Sequence, residues 1–264
     1  MSALSHVVRG PARGPVRVVI HGDAGVGKTT WAAGARKPLF VQAEDGTGAL
    51  EFDRITPNTW QAYLNLLDEL IHDKHDYATL VIDSADWLER LAEQSVCAAA
   101  KVDSLEEVGG GFGKGAKQVA ENWFRMLQLI DAGIVRGRKM HVVFIAHSEP
   151  VTFRDPDGAD YLRWSLKCGK AVSGLLREWP DFLLYASIDR DVRKGKVDAR
   201  REPRRVLATE AGFGFEAKSR LPLPAELPLS WAAFGEAVSA AWKKAHPTVE
   251  AVAVDTNDNK GGER

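Results

Sequence analysis

Apolar positions along the chain fall into two patterns. Short apolar runs occur at residues 16–21 (VRVVIH), 39–42, 77–82 (YATLVI) and 141–146 (HVVFIA). They are continuous rather than alternating, as expected of strands buried on both faces. Between them lie stretches with helical spacing, at residues 28–36, 60–71, 87–100 and 117–135. Such alternation predicts a parallel sheet covered by helices on both sides. Beyond residue 146 the pattern changes. Residues 151–166 alternate around Asp155-Pro156-Asp157-Gly158, a hairpin signal. Residues 171–179 predict a short helix, and 182–188 and 205–209 predict strands flanking the charged turn 193–196. Residues 231–244 predict an amphipathic helix. Residues 108–115 hold five glycines in eight positions and are expected to form a mobile loop. The predicted fold class is α/β: a mainly parallel sheet, helices on both faces, antiparallel edge strands and hairpins. One domain is expected over residues 16–246, after a flexible lead-in (1–15) and before a disordered polar tail (247–264).

Composition narrows the function classes. The chain has 264 residues, 45% hydrophobic and 27% charged, with a formal net charge of -1. This excludes a bulk polycation wrapped by DNA but leaves room for a local basic groove. Cys97 and Cys168 make no disulfide framework and no metal knuckle, which suits a reducing cytoplasm. The first fifteen residues lack the apolar run of a signal peptide, and no stretch reaches the length of a membrane span. A cytoplasmic protein without membrane contact is expected.

The strongest chemical signal is Gly22-Asp23-Ala24-Gly25-Val26-Gly27-Lys28-Thr29, followed by Thr30. It satisfies G-x-x-x-x-G-K-[ST] in full, with a strand before it and a helix beginning inside it. Glycines let backbone N–H groups turn inward around phosphates, and the helix N-terminus adds partial positive charge. Lys28 is expected to reach the β- and γ-phosphates and Thr29 to hold magnesium. Asp83 closes the run TLVID and suits the Walker B position beside that metal. The plain alternative is a helix N-cap, a task open to Ser84 as well.

Two further strand ends carry polar groups. Glu44 follows the second run, where a carboxylate can face the γ-phosphate and polarise water; Asp45-Gly46 beside it also reads as simple turn chemistry. His147 ends the fourth run, where it either touches the γ-phosphate and signals to the next loop or is an ordinary strand-end histidine. The order of phosphate loop, Glu44, Asp83, glycine-rich loop, His147 and hairpin resembles the RecA-type core. The resemblance implies ATP as the nucleotide, Glu44 as the water-activating base and His147 as the sensor, where RecA itself carries glutamine. Ala217-Lys218-Ser219-Arg220 resembles the K-x-R element of RadA-like ring ATPases, which implies that Lys218 and Arg220 enter a neighbouring subunit's site. An exposed basic turn is the alternative. As a whole, residues 14–225 are similar to the compact RecA-like ATPases of bacteriophages, the Sak-type single-strand annealing group. That likeness implies recombination or annealing in a bacterial host, a homo-oligomeric ring or filament, and a single-strand DNA-binding protein as a further partner.

The two loops supply candidate contacts to single-stranded DNA: Phe112, Lys114 and Lys117 in the first, Arg154, Arg163 and Lys167 in the hairpin. Aromatic groups interleaved with cations suit stacked bases and their phosphates. Trp164 is expected in the core. Residues 189–205 hold eight basic and four acidic residues, which extends a basic track or makes a solvated ribbon. Other functions fit the phosphate loop too: a small-molecule kinase with the glycine loop as lid, a non-hydrolysing ATP-gated assembly module, or an AAA-type loader, whose helical lid the sequence does not display.

Overall fold

A computed structural model describes residues 14–43, 51–156, 158–189, 192–193, 196–197 and 204–246. The lead-in up to residue 13, Glu44 with its turn, and the tail from residue 247 lie outside the described residues. Most of the charged ribbon between residues 190 and 203 does so as well.

The chain opens with β1 (Arg17–Gly22), the phosphate loop and the short helix α1 (Lys28–Ala33). Next come β2 (Pro38–Gln42), β3 (Asp53–Ile55), α2 (Trp60–His72), β4 (Thr79–Asp83) and α3 (Ala85–Ala100). Helix α4 (Lys114–Leu129) passes directly into a π-helical stretch, Ile130–Gly137. Strand β5 (His141–Phe153), β6 (Tyr161–Leu166), α5 (Lys170–Glu178) and β7 (Phe182–Asp189) follow. The two-residue strands β8 (Val192–Arg193) and β9 (Lys196–Val197) pair with each other. The described part closes with β10 (Arg204–Ala208), β11 (Lys218–Ser219), β12 (Glu226–Pro228) and α6 (Trp231–Ala245).

Ten strands form one sheet in the order β12-β10-β7-β1-β5-β4-β2-β3, with β11 beside β7 and β6 beside β5. The six strands from β7 to β3 run parallel; β10, β11, β12 and β6 are antiparallel additions. The expected fold class is therefore the observed one. Side chains alternate between two apolar layers. Val19, Leu80, Ile82, Val142 and Phe144 face α2 to α5, whereas Val18, Ile20, Val81, Val143 and Ile145 face α1 and α6. Burial on both faces is why the central strands read as unbroken apolar runs.

Three expectations need correcting. β5 does not end near residue 146: its second half runs on past β1 and β4 and is paired by β6 alone, from Ser148 to Phe153. The glycine-rich stretch is folded rather than loose. Val108–Gly110 is a 3₁₀ turn, Gly109 to Gly113 all have positive φ, and α4 starts at Lys114 instead of Lys117. Glycine permits that left-handed run, and Lys114 Nζ ties it by donating to the Gly109 carbonyl at 2.7 Å. Trp164 is half-buried rather than a core residue.

β1 lies between β5 and β7, and its last residue meets β7 closely. A Cβ on Gly22 would stand 2.2 Å from the Ala186 carbonyl oxygen, and φ there is +154°. Gly25, at φ +75°, has nothing within 4 Å of the same position. Gly22→Ala should therefore lower unfolding stability by about 2 kcal/mol or more, whereas Gly25→Ala should cost only the left-handed strain, about 1 kcal/mol. Urea denaturation of both variants measures this; equal losses would contradict the close β1–β7 contact.

Candidate functional site

Parallel pairing brings five strands together at the carboxyl edge of the sheet. Gly22 stands beside His147 on one side and Ala186 on the other, while Asp83 lies in register with Ile145 and Gln42. This edge is where an open α/β sheet presents ligand sites. The phosphate loop closes it. Gly27 sits at the start of α1 with φ 109°, and its carbonyl accepts the first helical bond from Trp31 N at 2.9 Å.

Lys28 is almost fully buried and curls back over the loop, donating to the carbonyls of Gly22 at 2.7 Å and Asp23 at 2.8 Å. Thr29 Oγ1 donates to Asp83 Oδ2 at 2.9 Å. That bond assigns the threonine proton to the carboxylate and leaves the hydroxyl lone pairs to face a cation. Burial pushes the Asp83 carboxyl above its ordinary range, against the opposing pull of Thr29, Lys28 and His147. A buried carboxylate that must carry charge is suited to a metal partner. The donor set thus fits magnesium: Thr29 and Asp83 would hold it, and it would supply charge neutralisation at the phosphates.

His147 does not stand alone. Its Nδ1 donates to Asp86 at 3.0 Å, and its backbone N–H donates to the same carboxylate at 3.2 Å. Burial works to raise the Asp86 pKa, yet the bonds from His147 hold it below the ordinary value. Asp86 lies three residues after Asp83, in the first turn of α3. That spacing was visible in the sequence, but its partner 61 residues away was not. One residue before Gly22, His21 is fully buried, and burial drives its pKa down to about 4. The neutral ring donates from Nε2 to the Glu216 carbonyl at 2.9 Å and accepts at Nδ1 from the Ser148 hydroxyl at 2.8 Å. Glu216 in turn takes Arg177 of α5 in a two-pronged ion pair. The strand of the phosphate loop is thereby bonded to the base of the hairpin.

A family profile described as an AAA domain, AAA_24, matches residues 14–221, a span that includes the phosphate loop, Asp83, His147 and the hairpin. The chain belongs to the AAA_24 family. As an AAA domain it is a P-loop nucleotide-binding module. It is also 27% identical over 190 residues to the SPbeta prophage-derived uncharacterized protein YorG of Bacillus subtilis (strain 168). That match takes in 69% of this chain and 54% of the relative, so the chain spans about half of that protein.

The other predicted residues of this AAA domain are more scattered. Glu44 falls outside the described residues. Lys218 and Arg220 lie toward the far end of the sheet from the phosphate loop, where β11 pairs with the beginning of β7. They do share one side of the chain, as their spacing implied. Lys218 Nζ donates to the Arg177 carbonyl at 2.5 Å, and Arg220 to the Glu178 carbonyl at 3.1 Å. Within this chain both cap the C-terminus of α5. Phe112 is 100% exposed beside Lys114, and Lys117 follows one turn later on α4. On the hairpin, Arg154 is exposed and the Arg163 guanidinium lies 5.4 Å from the centre of the Phe153 ring. Lys167 lines a niche with Asp86, Glu89, Glu93 and Glu149, where burial pushes Glu89 up to about 6. No helix among the described residues is long and apolar enough to cross a membrane.

Lys28→Ala removes the one cation that the loop itself supplies to a triphosphate. Affinity for Mg-ATP should fall roughly a hundredfold, the scale of a lost charged hydrogen bond in a prepared site. Asp83→Asn should instead lose the part of the affinity that depends on magnesium. Fluorescent-nucleotide titrations with and without magnesium check both, and wild-type affinity in Lys28→Ala would refute the assignment of the loop.

Proposed function

We propose that this AAA domain hydrolyses ATP with magnesium and uses it to act on single-stranded DNA. It would belong with the Sak-type RecA-like annealing or recombination proteins of bacteriophages. The prophage origin of the YorG relative supports the viral context. One observation carries the DNA reading: β5 is a single strand running from the nucleotide edge into an exposed aromatic cluster. His147 stands beside Gly22, and Phe153 lies six residues further on, roughly 20 Å at the usual rise of a strand. At that end Phe153 and Tyr161 are 5.2 Å apart, and Tyr161 stacks on Phe213 at 3.9 Å. Phe213 is 72% exposed and Leu162 66%. Exposed rings beside Arg154 and Arg163 are a stacking platform for unpaired bases.

In this reading Lys28 and the loop amides orient the phosphates. Glu44 positions water, and the paired His147–Asp86 unit registers the γ-phosphate at the root of the hairpin. Lys218 and Arg220 would serve a neighbour in a homo-oligomeric ring or filament, exchanging their contacts with α5 for that subunit's nucleotide. A single-strand DNA-binding protein remains the expected partner, in the cytoplasm of a bacterial host.

ATP hydrolysis measured with and without single-stranded DNA tests the proposal. DNA should stimulate turnover, and Glu44→Gln should keep ATP binding while slowing cleavage. Phe213→Ala should weaken DNA binding about tenfold, the share of one stacked base. Hydrolysis indifferent to DNA, or phosphoryl transfer to a small acceptor, would contradict the reading and favour a kinase.

A further inference from the structure

Arg205 lies far from the phosphate loop in sequence but against it in space. It sits on β10, opposite Ile188 of β7. Its neighbour Arg204 is engaged with Asp189 at 2.6 Å and Glu226 at 3.7 Å. Arg205 points to the other face, the one on which Leu207 joins the layer beneath α1 and α6. There its guanidinium reaches Gly27: Nη1 is 3.1 Å, and Cδ 3.9 Å, from the point a Gly27 Cβ would occupy. Leu229 flanks the same point at 3.5 Å and donates its N–H to the Arg205 carbonyl at 3.1 Å, which fixes the backbone beneath the side chain. Among the described residues no carboxylate pairs with this guanidinium.

The strand order says which end of a nucleotide it faces. Asp83, the magnesium residue, is on β4, two strands from β1 in one direction; Arg205 is on β10, two strands away in the other. The metal and the terminal phosphate belong on the Asp83 side. The phosphate nearest the nucleoside therefore extends toward β10. We propose that Arg205 is a nucleotide-binding residue that holds the α-phosphate of nucleoside di- and triphosphates, working across Gly27 from Lys28. The planar fork of arginine suits two phosphate oxygens at once. Glycine at position 27 leaves the space through which it reaches them. This inference rests on the nucleotide-binding reading of the loop and is independent of DNA.

Equilibrium titration of Mg-ADP and Mg-ATP into wild type, Arg205→Ala, Arg205→Gln and Arg205→Lys tests it, with thermal melts to confirm folding. Both neutral variants should lose affinity for ADP and ATP by the same factor, about tenfold or more for a charge-assisted hydrogen bond. Arg205→Lys should recover part of the loss. Unchanged affinity in Arg205→Gln would overturn the proposal, as would a loss confined to ATP, which would place the guanidinium at the γ-phosphate. Wild type that binds neither nucleotide would overturn the reading of the loop itself, and this assignment with it.

Discussion

A hydroxyl and a carboxylate 54 residues apart meet across the carboxyl edge of the sheet, where Thr29 donates to Asp83 at 2.9 Å. The contact exists only because three strands are in register. β5 lies between β1 and β4 and holds Gly22 level with His147, and Asp83 level with Ile145. The buried layers above and below the sheet fix that register, because slipping a strand by one residue would exchange its two faces. The apolar core thus does chemical work at a distance: it holds a desolvated carboxylate where its charge is most useful, opposite the lysine of the phosphate loop.

Around this contact lie two sets of bonded polar groups, both at the root of the hairpin. One joins His147, at the nucleotide edge, to Asp86 on α3. The other runs from β1 through neutral His21 to Ser148 and, on its opposite side, to Glu216 and Arg177. Buried polar networks of this kind are rigid when every member is satisfied. The hairpin is consequently an extension of the nucleotide edge rather than an independent loop, although its tip carries exposed aromatic rings.

Much of this was legible in the sequence because the informative signals are local. The glycine spacing of the phosphate loop, the aspartate after TLVI and the alternation around Asp155-Pro156 each sit within a few residues, and each predicted the element now seen. The rest depends on partners that no local pattern records. β3, β11 and β12 have two or three residues apiece, too few to establish a period. The glycine-rich segment reads as mobile from composition alone, yet its positive φ values build a compact turn. The Lys-x-Arg spacing did put two side chains on one side, but their contacts in this chain are the carbonyls ending α5 and, for Arg220, the Asp181 carboxylate. Arg205 looked like one more charge in a basic ribbon. Only the antiparallel pairing of β10 with β7 carries it to Gly27.

The most direct test is a crystal structure of the protein with manganese and a non-hydrolysable ATP analogue, using the anomalous signal of the metal. The account predicts polyphosphate along residues 22–29 and manganese bonded to Thr29 Oγ1 on the side facing Asp83. Manganese among Asp86, Glu89, Glu93 and Glu149 instead, or nucleotide away from Lys28, would contradict it.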